Sequence, residues 1–302
     1  MNPSEVNYYS DGHRITGHLF TPDDWKAGDP PRPGIIVLAG YSGNTQADCT
    51  HMMKRLCAEG WFAFGFDQVG FGKSEGKRNR HRPFDQVQNT YDALTYLQTV
   101  PGIDPERLGI FGPSFGCAAG IWVAAHDERV KCLVTDVGVT NGETWMRSLR
   151  RPWEWLAFKE RVAQEARERV VSGKPTLMPY GDIMLRDPET QRQRDRQIEA
   201  GHTFQNVERD VESAEATMRF RPDWVVDKIS PRPVLFIYAE NDVIVPPEQQ
   251  LTCYEKCGEP KKLVKLPKAN HYDSYEFGNP ATNKITSEIS YAETIDWFRK
   301  YL

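Results

Sequence analysis

Hydrophobic positions along the chain alternate between short apolar runs and longer amphipathic stretches. The run at residues 34–39, GIIVLA, is nearly continuous, which is typical of a strand buried on both faces of a sheet. Further runs of this kind lie at residues 61–67, 108–111, 131–135, 234–239 and 262–266. Helical periodicity lies between them, at residues 48–59, 84–97, 115–126, 248–256 and 286–301. This order predicts an α/β fold with a mostly parallel sheet flanked by helices.

The N-terminal residues have a different pattern. Two short β-type segments, residues 6–10 and 15–21, flank the tight-turn dipeptide Asp11-Gly12. We expect an antiparallel hairpin at one edge of the sheet. With it, the sheet has about eight strands.

The alternation stops between residues 139 and 222, where Arg and Glu are frequent and a long helical pattern covers residues 154–171. We therefore predict a core made of residues 1–139 and 223–302, with residues 140–222 inserted as a helical cap. The alternative is a set of solvated helices held by ion pairs four residues apart. Such helices also serve dimer interfaces, so a homodimer through the cap remains open.

Charge and composition narrow the function classes. Lys and Arg number 38 against 42 Asp and Glu, a net charge of -4, which argues against a dedicated nucleic-acid binder. No apolar run reaches the roughly 18 residues of a membrane span, and the N-terminus lacks a signal-peptide pattern, so we expect a soluble, cytoplasmic protein without a membrane partner. The six cysteines include no C-x-x-C pair. We expect free, mostly buried thiols, with no metal and no cofactor.

A candidate nucleophile lies in Gly112-Pro113-Ser114-Phe115-Gly116, which matches G-x-S-x-G. A predicted strand leads into this match and a helix rich in small residues follows it. A second match surrounds Ser74, but a basic segment with a proline follows, so no helix begins there. Context therefore selects Ser114 and makes Ser74 structural.

A serine hydroxyl needs a base to take its proton and a carboxylate to orient that base. Asp242 and His271 each follow a predicted strand, at the sheet edge where sites of open α/β sheets form. The order Ser114, Asp242, His271 is the one that this architecture uses. Asp136 is the main rival for the acid because it also ends a strand, with Glu240 and Asp273 weaker. The other histidines are interpreted as structural: His13, His18, His51, His81, His126 and His202.

Attack on a carbonyl creates an oxyanion that requires backbone N–H donors. Phe115, directly after the nucleophile, is the first candidate, and Tyr41, in the loop after the central strand, is the second. The alternative is that residues 39–44 form only a turn. The glycine-rich segment 67–74 lacks the spacing of a phosphate-binding loop and is interpreted as a support for the site.

Together these motifs resemble the α/β-hydrolase superfamily over nearly the whole chain outside the insertion. Residues 67–74 are similar to its D-x-x-G-x-G-x-S segment, and Asn241-Asp242 and Asn270-His271-Tyr272 are similar to its acid and histidine loops. The hairpin, Gly40-Tyr41 and the insertion resemble the dienelactone-hydrolase and peptidase S15 branch. The segment 145–155 further resembles polyketide transferases and thiohydrolases. Cys117 departs from the family pattern, where a second glycine is common.

The predicted function is a serine hydrolase or acyltransferase acting on a small-molecule ester or thioester through an acyl-enzyme. Carbon–carbon bond hydrolysis or amidase chemistry with the same residues, and a non-catalytic ligand receptor, are the alternatives. Trp145, Trp153 and Met184 are the candidate substrate-binding residues, although aromatic residues at helical spacing also build a cap core. The sequence leaves the acyl group and its acceptor undetermined.

Overall fold

Eight strands form one twisted sheet in the computed structural model of the chain, which describes residues 3–41, 43–199, 208–274 and 284–302. The strands of the chain are β1 (Ser4–Ser10), β2 (His13–Phe20), β3 (Arg32–Val37), β4 (Phe62–Phe66), β5 (Ile103–Pro113), β6 (Val130–Asp136), β7 (Leu177–Pro179), β8 (Glu208–Asp210), β9 (Val234–Ala239) and β10 (Lys261–Leu266). The large sheet has the order β1-β2-β4-β3-β5-β6-β9-β10. His202 lies outside the described residues.

The helices connect these strands and cover both faces of the sheet. They are α1 (Thr45–Ala58), α2 (Pro83–Leu97), α3 (Phe115–His126), α4 (Gly142–Ser148), α5 (Pro152–Ser172), α6 (Tyr180–Ile183), α7 (Pro188–Glu199), α8 (Glu212–Met218), α9 (Glu248–Lys256) and α10 (Lys284–Tyr301). The predicted α/β fold class is confirmed. In the parts of the chain described, no helix has both the length and the apolar character that crossing a bilayer requires.

The pairing of the strands follows from their hydrophobic patterns. The predicted hairpin is β1 and β2, which pair antiparallel at the sheet edge, and β2 continues antiparallel to β4. All other ladders in the large sheet are parallel. β5 is longer than predicted because Ile103 already pairs with Arg32, ahead of the apolar run that the sequence makes visible.

Alternation along the central strands divides the core into two layers. On β3, Ile36 faces the cluster that contains α2 and α3, whereas Ile35 and Val37 face the cluster with α1 and α10. Successive side chains of a strand point to opposite faces, so a strand covered on both sides needs an unbroken apolar run. The six cysteines are buried and form no disulfide, as predicted.

Residues 140–222, predicted as an insertion, run from α4 to α8 and contain one feature that the sequence pattern missed. β7 and β8 pair antiparallel as a separate two-stranded sheet. Each strand has three residues, too few to show a period of two, which explains why the pattern did not predict them.

Gln249 links residues 140–144 to the core by hydrogen bonds. Its side-chain oxygen accepts hydrogen bonds from the backbone N–H groups of Thr140 and Asn141, both at 2.9 Å. Its amide nitrogen donates to the Thr144 hydroxyl at 2.8 Å. A single buried side chain of α9 therefore fixes the point where the chain leaves β6 and enters α4.

We expect Gln249→Leu to lower the free energy of unfolding by about 2–4 kcal/mol, because two buried N–H groups lose their acceptor. Glu255→Leu, at an exposed position of the same helix, should change it by less than about 0.5 kcal/mol. Urea unfolding monitored by circular dichroism measures both values. Equal effects of the two substitutions would show that the Gln249 contacts contribute nothing beyond helix surface chemistry.

Candidate active site

Ser114 occupies the sharp turn between β5 and α3. Its backbone adopts φ 51° and ψ -123°, a conformation that costs a residue with a side chain about 1–3 kcal/mol. A Cβ at Gly112 would lie 2.7 Å from the Gly116 carbonyl oxygen, and a Cβ at Gly116 would lie 2.9 Å from that of Ala39. Both glycines of the motif are therefore required by close backbone approach.

Three side chains from different loops meet at this turn. His271 Nε2 lies 3.1 Å from Ser114 Oγ, and His271 Nδ1 lies 2.7 Å from Asp242 Oδ2. All three residues are buried. The predicted Ser114, Asp242 and His271 thus form a continuous hydrogen-bonded chain in which the imidazole can take the serine proton and the carboxylate can hold its other nitrogen.

Asp242 is fixed by its own loop. Its Oδ1 accepts hydrogen bonds from the backbone N–H groups of Ile244 at 2.9 Å and Val245 at 2.8 Å, which leaves Oδ2 for His271. The rival acid, Asp136, ends β6 and directs its Oδ2 to Ser274 and Ser290 instead. The geometry therefore assigns the hydrogen bond from His271 Nδ1 to Asp242.

The two candidate oxyanion donors lie on either side of Ser114: Phe115 is the first residue of α3, and Tyr41 lies in the loop after β3. In the described part of the chain, the N–H groups of Phe115 and Tyr41 donate no hydrogen bond to another backbone group, so both stay candidates for binding a substrate oxygen. Their rings pack edge to face with centroids 5.2 Å apart. The loop of Tyr41 is held by Gln86, whose amide donates to the Ala39 carbonyl at 2.9 Å.

Two residues beside this loop were missed by the sequence interpretation. His81, interpreted from the sequence as structural, is buried, and its ring centroid lies 4.4 Å from Tyr41 and 4.8 Å from Phe115. Burial, reinforced by the Arg209 guanidinium, lowers the pKa of His81 to about 3, so its ring is neutral at physiological pH. Arg209 is also buried and donates to the Tyr41 carbonyl at 3.4 Å. Their surroundings in sequence are polar and charged, and no local pattern marks them as buried.

Trp145 connects the insertion to the site. It is 0% exposed, and its indole N–H donates to the Ile244 carbonyl at 2.9 Å. Ile244 in turn donates its N–H to Asp242. The indole also packs against the rings of Tyr41 and Phe115, with centroids 5.3 Å and 5.7 Å away. Trp145 therefore contacts the acid loop and both candidate oxyanion residues.

The other two candidate substrate residues lie elsewhere in the insertion. Trp153 is 63% exposed on the surface of α5, and Arg151 lies over its ring. Met184 is buried and its sulfur accepts a hydrogen bond from the Tyr180 hydroxyl at 2.8 Å. Tyr180 lies between Met184 and the site, with its ring 5.9 Å from that of Tyr41. Met184 thus contacts Tyr180, which neighbours Tyr41, whereas Trp153 lies at the exposed surface of α5.

Ser74, the serine of the second G-x-S-x-G match, has a different environment. It is buried, and its hydroxyl donates to the Asp67 carbonyl at 2.5 Å and accepts from the Thr16 N–H at 2.9 Å. These bonds join the loop after β4 to strand β2. Ser74 thus holds a supporting loop and has neither a histidine partner nor a following helix in the described structure.

A serine turn at the carboxyl end of a mostly parallel eight-stranded sheet defines the class, and the protein is an α/β-hydrolase enzyme. The family model described as "Serine aminopeptidase, S33" matches residues 29–273. The chain belongs to this family, and its predicted place in the α/β-hydrolase superfamily is confirmed.

Several characterised and uncharacterised proteins are similar over most of the chain. An uncharacterised 31.7 kDa protein of the traX-finO intergenic region of Escherichia coli is 25% identical, covering 91% of this chain and 93% of its own. Thiohydrolase aneE of Aspergillus aculeatus is 24% identical, covering 89% and 86%. Polyketide transferase grgF of a Penicillium species is 26% identical, covering 91% of each chain. The crystal structure of GrgF superposes with a TM-score of 0.80 over 100% of this chain and 99% of its own, at 23% identity.

The contrast between the two tryptophans can be tested directly. We expect Trp145→Phe to lower the free energy of unfolding by about 1–3 kcal/mol, because the buried Ile244 carbonyl loses its donor. Trp153→Phe should change it by less than about 0.5 kcal/mol, because that ring is exposed. Denaturant unfolding of both variants measures the difference, and similar values would contradict the assigned role of the indole N–H.

Proposed function

We propose that the protein is a serine hydrolase or acyltransferase that cleaves an ester or thioester through an acyl-enzyme on Ser114. The observation that carries this proposal is the hydrogen-bonded chain from Ser114 through His271 to Asp242. A weak nucleophile is activated by such an arrangement, since the base is in reach of the hydroxyl and is itself held by a carboxylate.

The first half of the reaction acylates the enzyme. Ser114 Oγ attacks the carbonyl carbon while its proton passes to His271 Nε2, and the carbonyl oxygen becomes an oxyanion facing the N–H groups of Phe115 and Tyr41. Asp242 accepts the Nδ1–H and stabilises the imidazolium. Collapse of the tetrahedral intermediate breaks the bond to the leaving sulfur or oxygen, which takes the proton from Nε2.

The second half returns the enzyme to its starting state. Water or the hydroxyl of an acceptor loses a proton to His271 Nε2 and attacks the acyl carbon. Collapse of the second tetrahedral intermediate frees Ser114 Oγ, which recovers the proton. Hydrolysis and acyl transfer differ only in the nucleophile of this step, so the same residues serve both reactions.

A thioester or ester substrate is favoured by two observations. Proteins similar over most of the chain are named thiohydrolase and polyketide transferase, names that describe acyl release or transfer. The groups that surround the candidate oxyanion residues are largely aromatic, including Trp145, Tyr180 and His81 in its neutral form. Such surroundings suit an apolar acyl chain better than a charged peptide. We propose that residues 140–222 act as the cap over this site.

A fluorophosphonate probe tests whether Ser114 is activated. The wild-type protein should gain the mass of one probe, and Ser114→Ala should gain none. Ser74→Ala is the matched control, because Ser74 lies in the second G-x-S-x-G match and should leave labelling of Ser114 in place. Labelling of the folded Ser114→Ala variant, or none of the folded wild type, would contradict the proposal.

Turnover distinguishes the proposed enzyme from a ligand receptor. We expect hydrolysis of thioesters and esters of graded acyl length, with kcat lower by about 10⁴–10⁶ in Ser114→Ala. Product release measured by a thiol reagent or chromophoric alcohol gives the rates. Tight binding of an apolar ligand without product, unchanged by Ser114→Ala, would favour the receptor alternative.

A further inference from the structure

Asp136 is a buried carboxylate that the proposed mechanism leaves unused. It is the last residue of β6, 0% exposed, and it pairs with Pro113 in the ladder between β5 and β6. Its backbone carbonyl accepts the Ser114 N–H at 2.8 Å. Asp136 is therefore hydrogen-bonded to the backbone of the nucleophile, Ser114.

The side chain of Asp136 reaches the histidine loop. Oδ2 accepts a hydrogen bond from the hydroxyl of Ser274 at 2.5 Å and from that of Ser290 at 3.1 Å. Ser274 follows His271 by three residues, and Ser290 lies on α10. Asp136 therefore joins the nucleophile turn through its backbone carbonyl, and the histidine loop and the C-terminal helix through its carboxylate. Its second oxygen, Oδ1, has no hydrogen-bond partner among the described residues.

The charge of Asp136 is set by competing effects. Burial raises the pKa of Asp136 to about 6, although the hydroxyls of Ser274 and Ser290 and the nearby His271 lower it. The carboxyl group is thus mainly ionised at pH 7 and mainly protonated at pH 5. The titratable groups that act on it are His271 and Asp242, and the Cys117 thiol on α3, whose own pKa is raised well above its usual range by burial, also faces it.

We propose that Asp136 is a positioning residue for His271, tethering its loop through Ser274 and placing a second negative charge behind the His271–Asp242 pair. The inference rests on the proposed function, because it assigns Asp136 a role only through His271 as the base. A negative charge near the imidazole favours its protonated form, which is the form present when Ser114 has lost its proton.

This role differs from that of an alternative acid. Asp242 already holds His271 Nδ1, and both hydrogen bonds to Asp136 Oδ2 come from serines. A network of this kind in a low-dielectric interior fixes the positions of its members. Asp136 acts on the reaction by electrostatics and by the placement of the loop, without contact to substrate.

The pH profile of the reaction separates this role from a merely structural one. Asp136→Asn keeps the size of the side chain and removes the charge. We expect the pH midpoint for the rise of kcat/KM to move lower by about 0.5–1 unit and the plateau of kcat to fall several-fold, with KM changed less than about two-fold. Asp223→Asn is the matched control, because Asp223 is also buried but pairs with Arg221 and Lys256. Asp223→Asn should leave the pH midpoint of kcat/KM and the plateau of kcat unchanged.

Ser274→Ala tests the tether without removing the carboxylate. We expect kcat to fall and Ser274→Thr, which keeps the hydroxyl, to recover most of it. If Asp136→Asn does not fold, the kcat of Ser274→Ala alone tests whether the tether to the histidine loop matters. Unchanged kcat and pH midpoint in folded Asp136→Asn, or full kcat in Ser274→Ala, would overturn the inference.

Thermal unfolding tests the titration of Asp136 independently of activity. The native pKa of about 6 lies above the ordinary value of 3.8, so the stability that Asp136 contributes is present below pH 4 and is lost as the pH rises through 6. Asp136→Asn has no carboxyl group at this position and does not lose this stability as the pH rises. The Tm of the variant minus that of the wild type should therefore increase between pH 4 and pH 7. A constant difference would mean that the carboxyl group titrates alike in the folded and the unfolded chain, which would overturn the desolvated charge that the inference requires. Folded wild type that the fluorophosphonate does not label contradicts the proposed function itself, whereas labelled wild type with an unaltered Asp136→Asn profile contradicts only this inference.

Discussion

The left-handed turn at Ser114 is the constraint on which the rest of the site depends. A residue with a side chain adopts φ 51° at a cost in conformational free energy, and the turn persists because the surrounding contacts hold it in place. The Ser114 N–H is held by β6, the Ser114 carbonyl accepts the Val139 N–H, and Gly116 sits against the loop after β3. Three neighbouring strands of the sheet therefore fix one hydroxyl. The loops that carry Asp242 and His271 follow β9 and β10. Because β9 pairs parallel with β6 and β10 pairs parallel with β9, both loops lie at the same edge of the sheet as Ser114.

Two buried carboxylates at this edge differ in the donors that face them. Asp242 receives two backbone N–H groups and the imidazole, whereas Asp136 receives two serine hydroxyls and has one oxygen without a partner in the described structure. Both residues end or follow a parallel strand, so strand position alone cannot separate them. What distinguishes Asp242 from Asp136 is the conformation of residues 242–245, in which backbone N–H groups of the loop bind the Asp242 carboxylate.

The sequence predicted the sheet and the positions of Ser114, Asp242 and His271 because each depends on local signals: apolar runs, glycine spacing and loops at strand ends. It could not distinguish Trp145 from Trp153, which are equally aromatic and lie in the same insertion. Only the tertiary structure buries Trp145 against the site and leaves Trp153 largely exposed. The burial of His81 was not predicted for a similar reason, because a histidine among arginines has no periodicity to mark it as buried. Burial of polar residues depends on distant partners, such as Arg209 from β8, and those partners are not encoded nearby.

Residues 140–222 and the loops of Asp242 and Tyr41 share a common set of contacts, which bears on how substrate choice and chemistry would be connected. Gln249 holds the start of α4, Trp145 of α4 holds the Ile244 carbonyl, and Ile244 holds Asp242. A change in the insertion that displaced α4 would therefore be transmitted to the orienting carboxylate over two hydrogen bonds. The aromatic faces of Trp145 also contact Tyr41 and Phe115, the candidate oxyanion donors. The region that would select the acyl group is thus in direct contact with the groups that would cleave the substrate. A movement of α4 as an independent lid would therefore disturb Asp242.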